Sequence, residues 1–197
     1  MNKYRFLFVA ALFIHICFLL AACDAKERYR RQLEQKGIEF STESFLERIS
    51  VKNREVIELF LKAGMDVNAH GVHGETALML ATVYNDRDLT DLLIERGADV
   101  NAKNNEGYTS LMFVASQGNA EMGELLIKKR ADLNAQNNYG ETSLMLAALN
   151  GNMDTVKLLL KNGADVRKEN SKGHTALRYA FLNKQIEETI RQAMTKE

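Results

Sequence analysis

The chain has 197 residues, 26 basic and 26 acidic, is 46% hydrophobic, and contains two cysteines but neither proline nor tryptophan. That is a globular composition of a length suited to one domain. It excludes the basic excess of a nucleic-acid binder and, with so few cysteines, a disulfide or zinc–thiolate framework. In chain order, Lys3 and Arg5 precede an uncharged run from Phe6 to Ala22, which ends at Leu20-Ala21-Ala22-Cys23. A basic start, an apolar stretch and small residues before a cleavage point make residues 1–22 a secretory signal peptide. The uncharged run contains His15 and is marginal as a membrane span, which needs about 20 residues.

Leu-Ala-Ala-Cys resembles the bacterial lipobox. The resemblance implies that Cys23 becomes the lipidated N-terminus, with a diacylglycerol thioether and a further acyl chain such as palmitate; two or more chains anchor a protein stably. Cys17 leaves with the signal peptide, so no thiol remains for a disulfide, a zinc site or a nucleophile. Without Lys3 and Arg5, 24 basic residues face 26 acidic ones, again giving no footprint for nucleic acid. Asp24 after Cys23 resembles the signal that retains enteric lipoproteins at the inner membrane, which implies a periplasmic location. Residues 23–40 then read as the lipidated N-terminus and a capping helix from Ala25 to Gly37, with Tyr29, Leu33 and Ile38 apolar. No Gly-, Ser- or Pro-rich spacer follows Cys23, so the domain behind it should lie close to the bilayer. Lys26, Arg28, Arg30 and Arg31 either meet anionic headgroups or, interleaved with Glu27 and Glu34, form a solvated face; the sequence leaves both open.

From residue 41 a 33-residue period takes over. Thr76, Thr109, Thr142 and Thr175 each follow a glycine by two residues and precede a leucine by two. Each unit runs from Gly-x-Thr through an apolar block (Leu92-Leu93-Ile94, Leu125-Leu126-Ile127, Leu158-Leu159-Leu160) to a polar stop such as Gly97-Ala-Asp-Val-Asn-Ala102. The spacing predicts helix, short connection, helix, glycine stop and extended turn, with threonine as the N-cap and Gly97 and Gly163 in the left-handed position that ends a helix. Phe45, Leu59-Phe60-Leu61 and Gly64-Met-Asp-Val-Asn-Ala69 mark an earlier, divergent unit.

These residues resemble the ankyrin repeat over most of the chain. The resemblance implies an all-α solenoid of about five helix-turn-helix units (near 41–73, 74–106, 107–139, 140–172 and 173–197) behind the N-terminal capping helix. Two departures stand out. Thr-Pro-Leu-His, the family pattern, is Thr-Ala-Leu-Met, Thr-Ser-Leu-Met or Thr-Ala-Leu-Arg here, which leaves methionine to fill the place of the histidine. Arg130 stands where a stop glycine belongs, at a cost of about 1 kcal/mol if the left-handed geometry is kept.

A search for chemistry yields little. There is no Gly-x-Ser-x-Gly and no phosphate-binding glycine loop. His70, His73 and Glu75 fall at a mobile turn tip without the supporting shell of a metal site, and Asp66, Asp99, Asp132 and Asp165 recur with the repeat as turn residues. The reading is a non-enzyme with no metal and no cofactor. The ankyrin resemblance instead implies protein contacts along the turn tips and the exposed side of the first helices. Mapped residue by residue, these are His70, Val72, His73, Glu75, Val83 and Tyr84; Lys103, Asn105, Glu106, Tyr108, Ser116 and Gln117; Gln136, Asn138, Tyr139, Glu141, Leu149 and Asn150; and Glu169, Ser171, Lys172 and His174. Tyr84, Tyr108 and Tyr139 are the expected exposed anchors. Ankyrin-repeat lipoproteins of this kind accompany antibacterial effectors, notably type VI secreted lipases. The resemblance thus implies an immunity protein whose partner is an effector lipase; the alternative is an envelope scaffold or stress-protection factor for an endogenous periplasmic protein.

Overall fold

The computed structural model describes residues 22–195. The signal peptide read at 1–22 therefore lies outside the described residues, apart from Ala22. Among the described residues the chain is all-helical and has no strand beyond an isolated bridge between His70 and Thr76. The described residues divide into two compact units, the first ending at Asp66 and the second beginning at Val67.

In the first unit, α1 (22–35) is followed by α2 (Thr42–Ser50) and α3 (Arg54–Lys62). The helix expected from Ala25 to Gly37 begins earlier and ends sooner, because Lys36 and Gly37 form the turn that stops it and Gly37 takes a φ of 69°. Its apolar side is the one expected: Leu33 is buried, with Tyr29 and Ile38 half-buried. Phe45, Ile49, Ile57 and Phe60 complete this core, and the Phe60 ring lies 5.7 Å from Phe40 and 5.6 Å from Phe45. Such aromatic pairs add roughly 0.5–1.5 kcal/mol beyond the area they bury. Two of the four α1 cations are engaged on their own unit: the Arg30 guanidinium sits 4.6 Å over the Phe40 ring, and Arg31 reaches Glu27 at 3.7 Å.

The second unit repeats one motif four times. Inner helices α4 (Ala77–Val83), α6 (Ser110–Gln117), α8 (Ser143–Leu149) and α10 (Ala176–Tyr179) pack side by side. Each is backed by an outer helix: α5 (Arg87–Glu95), α7 (Ala120–Lys128), α9 (Met153–Lys161) and α11 (Lys184–Met194), the last reached through a 3-10 turn at Ala180–Leu182. The expected threonine caps form at three of four sites, where Thr76, Thr109 and Thr142 accept from the N–H of Met79, Met112 and Met145 at 3.3, 3.4 and 3.4 Å. Thr175 makes no such bond. Met79, Met112 and Met145 are buried beside Leu78, Leu111 and Leu144, so methionine does fill the histidine's place. Leu93, Leu126 and Leu159 are fully buried on the outer helices.

The polar stops are as specific as the core. Gly97 and Gly163 take φ values of 90° and 87°, and Arg130 keeps the same left-handed geometry at 69°. Asp99, Asp132 and Asp165 each accept from the N–H two residues on, at 2.8, 2.9 and 2.8 Å, which is the turn role expected of them. The asparagines in the same segments form a ladder that the sequence reading missed. Asn68, Asn101 and Asn134 accept from the N–H of Asp99, Asp132 and Asp165 in the next repeat at 2.8, 2.7 and 2.8 Å. Asn68 and Asn101 also donate to the carbonyls of Gly97 and Arg130. The fourth position, in the unit 140–172, is Arg167 instead of asparagine.

Candidate functional site

The surface expected to meet a partner divides into side chains that hold the tips together and side chains that face outward. Each tip from the second repeat on is closed by an asparagine that the sequence analysis did not single out. Asn104 accepts from the N–H of Glu106 and Tyr108, Asn137 from those of Tyr139 and Glu141, and Asn170 from those of Lys172 and His174, at 2.8–3.1 Å. These recur at the 33-residue period, and that recurrence was the signal available. Gly71 holds this position in the first tip; there the Glu75 carboxylate accepts from the His73 N–H at 2.9 Å, and the His70 ring lies 2.9 Å from the Gly74 carbonyl.

Several expected contact residues join one repeat to the next. The Asn105 and Asn138 amides donate to the carbonyls of Val72 and Asn105, at 3.1 and 2.9 Å. Lys103 donates to the Gln136 carbonyl at 2.7 Å, Gln136 to those of Gly140 and Glu169, and Ser171 to that of Tyr139. At the far ends of the inner helices, Gln117 donates to the Val83 carbonyl and Asn150 to the Ser116 hydroxyl. These polar groups have their partners within the stack.

Val72, His73, Tyr84, Glu106, Tyr139, Leu149 and Lys172 are exposed, Tyr139 to 55%. Tyr108, expected as an exposed anchor, is half-buried and stacks on Phe113 with ring centroids 5.4 Å apart. Its backbone is drawn in by Asn104, which lays the ring along the next inner helix.

Around Tyr108 the last repeats build a cleft of about 290 Å³, which Tyr139, Glu141, Lys172 and Tyr179 also line. Glu141 is fixed at its centre. Oε1 accepts from the Tyr179 hydroxyl at 2.8 Å and Oε2 from the Asn137 amide at 3.0 Å. Tyr179 in turn accepts from Asn170 at 2.8 Å, and the His174 ring stands edge-on to it at 6.4 Å. Burial, and then the charge of Glu141, push the Tyr108 hydroxyl above its ordinary value. Tyr179 is pushed up as well, by burial and then by its hydrogen bond to the Glu141 carboxylate. Both phenols are thus held neutral beside a fixed carboxylate. The sequence reading named Tyr108, Tyr139, Glu141, Lys172 and His174 in this region but missed Asn137, Asn170 and Tyr179.

No group of three or more His, Cys, Asp or Glu able to hold a metal occurs among the described residues. The His70 ring and the Glu75 carboxylate are bound up in closing their own tip, while His73 takes part through its backbone N–H. Cys23 is exposed on α1.

A family model described as Ankyrin repeats (3 copies) matches the chain in overlapping registers, over residues 7–104, 46–137, 88–170 and 111–192. No curated protein matches it. Threonine-capped inner helices, outer helices with left-handed stops, asparagine-closed tips and a family match spanning most of the sequence lead to one assignment: the chain belongs to the ankyrin-repeat proteins, whose stacks are protein–protein interaction modules.

Proposed function

We propose that this ankyrin-repeat module is lipid-anchored through Cys23 at the periplasmic face of a bacterial membrane and there neutralises an antibacterial effector, in the manner of an immunity protein. The observation that carries the binding half is the outward-facing set Tyr84, Tyr139 and the Tyr108–Glu141–Tyr179 cleft, arrayed on a framework many of whose polar groups are spent on internal bonds. Tyrosines with a hydrogen-bonding tip are the usual anchors of protein interfaces. Support for anchoring comes from the Leu-Ala-Ala-Cys motif and the exposure of Cys23. No helix among the described residues is long and apolar enough to cross a membrane. Support for the immunity role comes from the resemblance to lipoproteins that accompany type VI lipases; a short tether would station the inhibitor where such an enzyme meets phospholipid.

Capture from envelope extract with the intact chain as bait tests the binding role. Recovery of a lipase, with protection of sensitive cells that express this chain, is the expected result. Recovery of a resident envelope protein without protection would instead establish the scaffold role. Cys23→Ser should abolish labelling by radioactive palmitate; retained labelling would overturn the anchor. Tyr139→Ala should weaken capture about tenfold or more, as an anchor residue would, with little change in melting temperature. Tyr108→Ala should also lower thermal stability, because it removes the stack on Phe113.

A further inference from the structure

From the cleft at the last three repeats we infer the chemistry of what this surface recognises: an arginine side chain of the partner protein. The inference rests on the protein-binding reading and specifies the partner's chemistry. Glu141 accepts one hydrogen bond on each carboxylate oxygen, from Tyr179 and Asn137, and both donors are neutral. A carboxylate offers about four acceptor sites, so one remains on each oxygen, the pair that a guanidinium fork engages. Because neither donor carries a charge, these two bonds hold the Glu141 carboxylate without neutralising it. The walls are phenol rings: Tyr108, held by its stack on Phe113, Tyr179, held by Asn170 and Glu141, and Tyr139, more than half exposed at the mouth.

A planar cation that can lie on a tyrosine face and donate twice to one carboxylate fits both features. A lysine ammonium would meet the charge without using the paired acceptor sites. A quaternary ammonium headgroup would use the rings and leave the acceptors empty. Neutral asparagine or citrulline groups would forgo the charge. Asn170 adds no competing acceptor, because its Oδ1 already takes the N–H of Lys172 and His174. Lys172, exposed on the rim, opposes any cation that enters and so acts against binding.

The test uses the purified full-length chain and blocked tripeptides, Ac-Gly-Arg-Gly-NH2 and its lysine and citrulline counterparts, with choline as a further arm. The protein has no tryptophan and three of its six tyrosines line the cleft, so a change in tyrosine fluorescence that is lost in Tyr139→Ala follows its occupancy. The arginine peptide should bind saturably and at least about threefold more tightly than the lysine peptide, with the citrulline peptide and choline weaker still. Glu141→Gln should lose about tenfold, the usual cost of one charge-assisted pair, while Lys172→Gln should tighten binding. Should Glu141→Gln lower the melting temperature, Tyr139→Ala serves as the second variant, since its exposed ring can be removed without disturbing the fold. Equal binding of citrulline, tighter binding of choline, or unchanged affinity in both variants would overturn the inference. If the peptides fail to bind while Tyr139→Ala still loses the captured partner, the arginine specificity falls and the protein-binding reading stands. Peptide binding without any captured partner would have the reverse meaning.

Discussion

At the scale of single residues, the decisive positions are those where side chain and backbone conformation disagree. Arg130 occupies a left-handed stop that Gly97 and Gly163 fill in the neighbouring repeats. Arg130→Gly should relieve roughly 1 kcal/mol of strain. The melting temperature should then rise by about 2–4 °C, as expected for a protein of this size. A fall on calorimetry would mean that the arginine contributes something other than its backbone carbonyl, which Asn101 uses. The phenols give a second prediction. Tyr108 and Tyr179 ionise above the ordinary tyrosine value when folded and near it, about 10, when unfolded. The folded state therefore holds its protons longer, and the associated stability is intact below pH about 10 and declines as pH rises beyond it. Tyr179→Phe should flatten the loss of melting temperature above pH about 10. An unchanged alkaline slope would place the sensitivity elsewhere.

At the scale of the repeat element, one glycine does two jobs. Gly107 takes a φ of 81°, and a Cβ there would meet the Asn138 Oδ1 at 2.6 Å and its backbone nitrogen at 2.8 Å. Gly97 takes a φ of 90° with nothing within 4 Å of the added atom. Gly97→Ala should thus cost only the conformational penalty of about 1 kcal/mol, whereas Gly107→Ala should cost about 1–3 kcal/mol more, because two tips must separate. Equal losses in urea denaturation would show that the tips yield freely. Both glycines were visible in the sequence as repeat markers, yet their difference was not. It depends on the distance to a chain segment of the next repeat, which no local pattern encodes. Asn105 and Asn138 make the same point: as variable-looking polar residues on a tip they read as contacts, but their amides bridge neighbouring tips. The Asn68, Asn101 and Asn134 ladder was legible in principle, since those asparagines recur at the 33-residue period beside the aspartates.

At the scale of the molecule, stacked repeats draw stability from their neighbours, so the end of the second unit should open first. α10 has four residues, its N-cap Thr175 makes no side-chain bond, Arg178 stands in the place of the buried methionines, and Phe181 and Leu182 are 65% and 82% exposed. Amide exchange should be fastest across 173–195 and slowest in α6 and α8, which have inner helices on both sides. Uniform protection would mean that the second unit opens as one body. The period, the helix pairs and the ankyrin assignment were settled by sequence alone, because they follow from the spacing of apolar faces and polar stops, which repeats along the chain; of the four threonine caps, Thr175 departs from that local pattern. The cleft was settled only in three dimensions. Tyr108, Glu141 and Tyr179 belong to three successive repeats, and Tyr179 lies 38 residues beyond the carboxylate it binds. Stacking brings them together because its register places each tip against the next inner helix, a distance that the sequence states in residues and only the packed structure converts into ångströms.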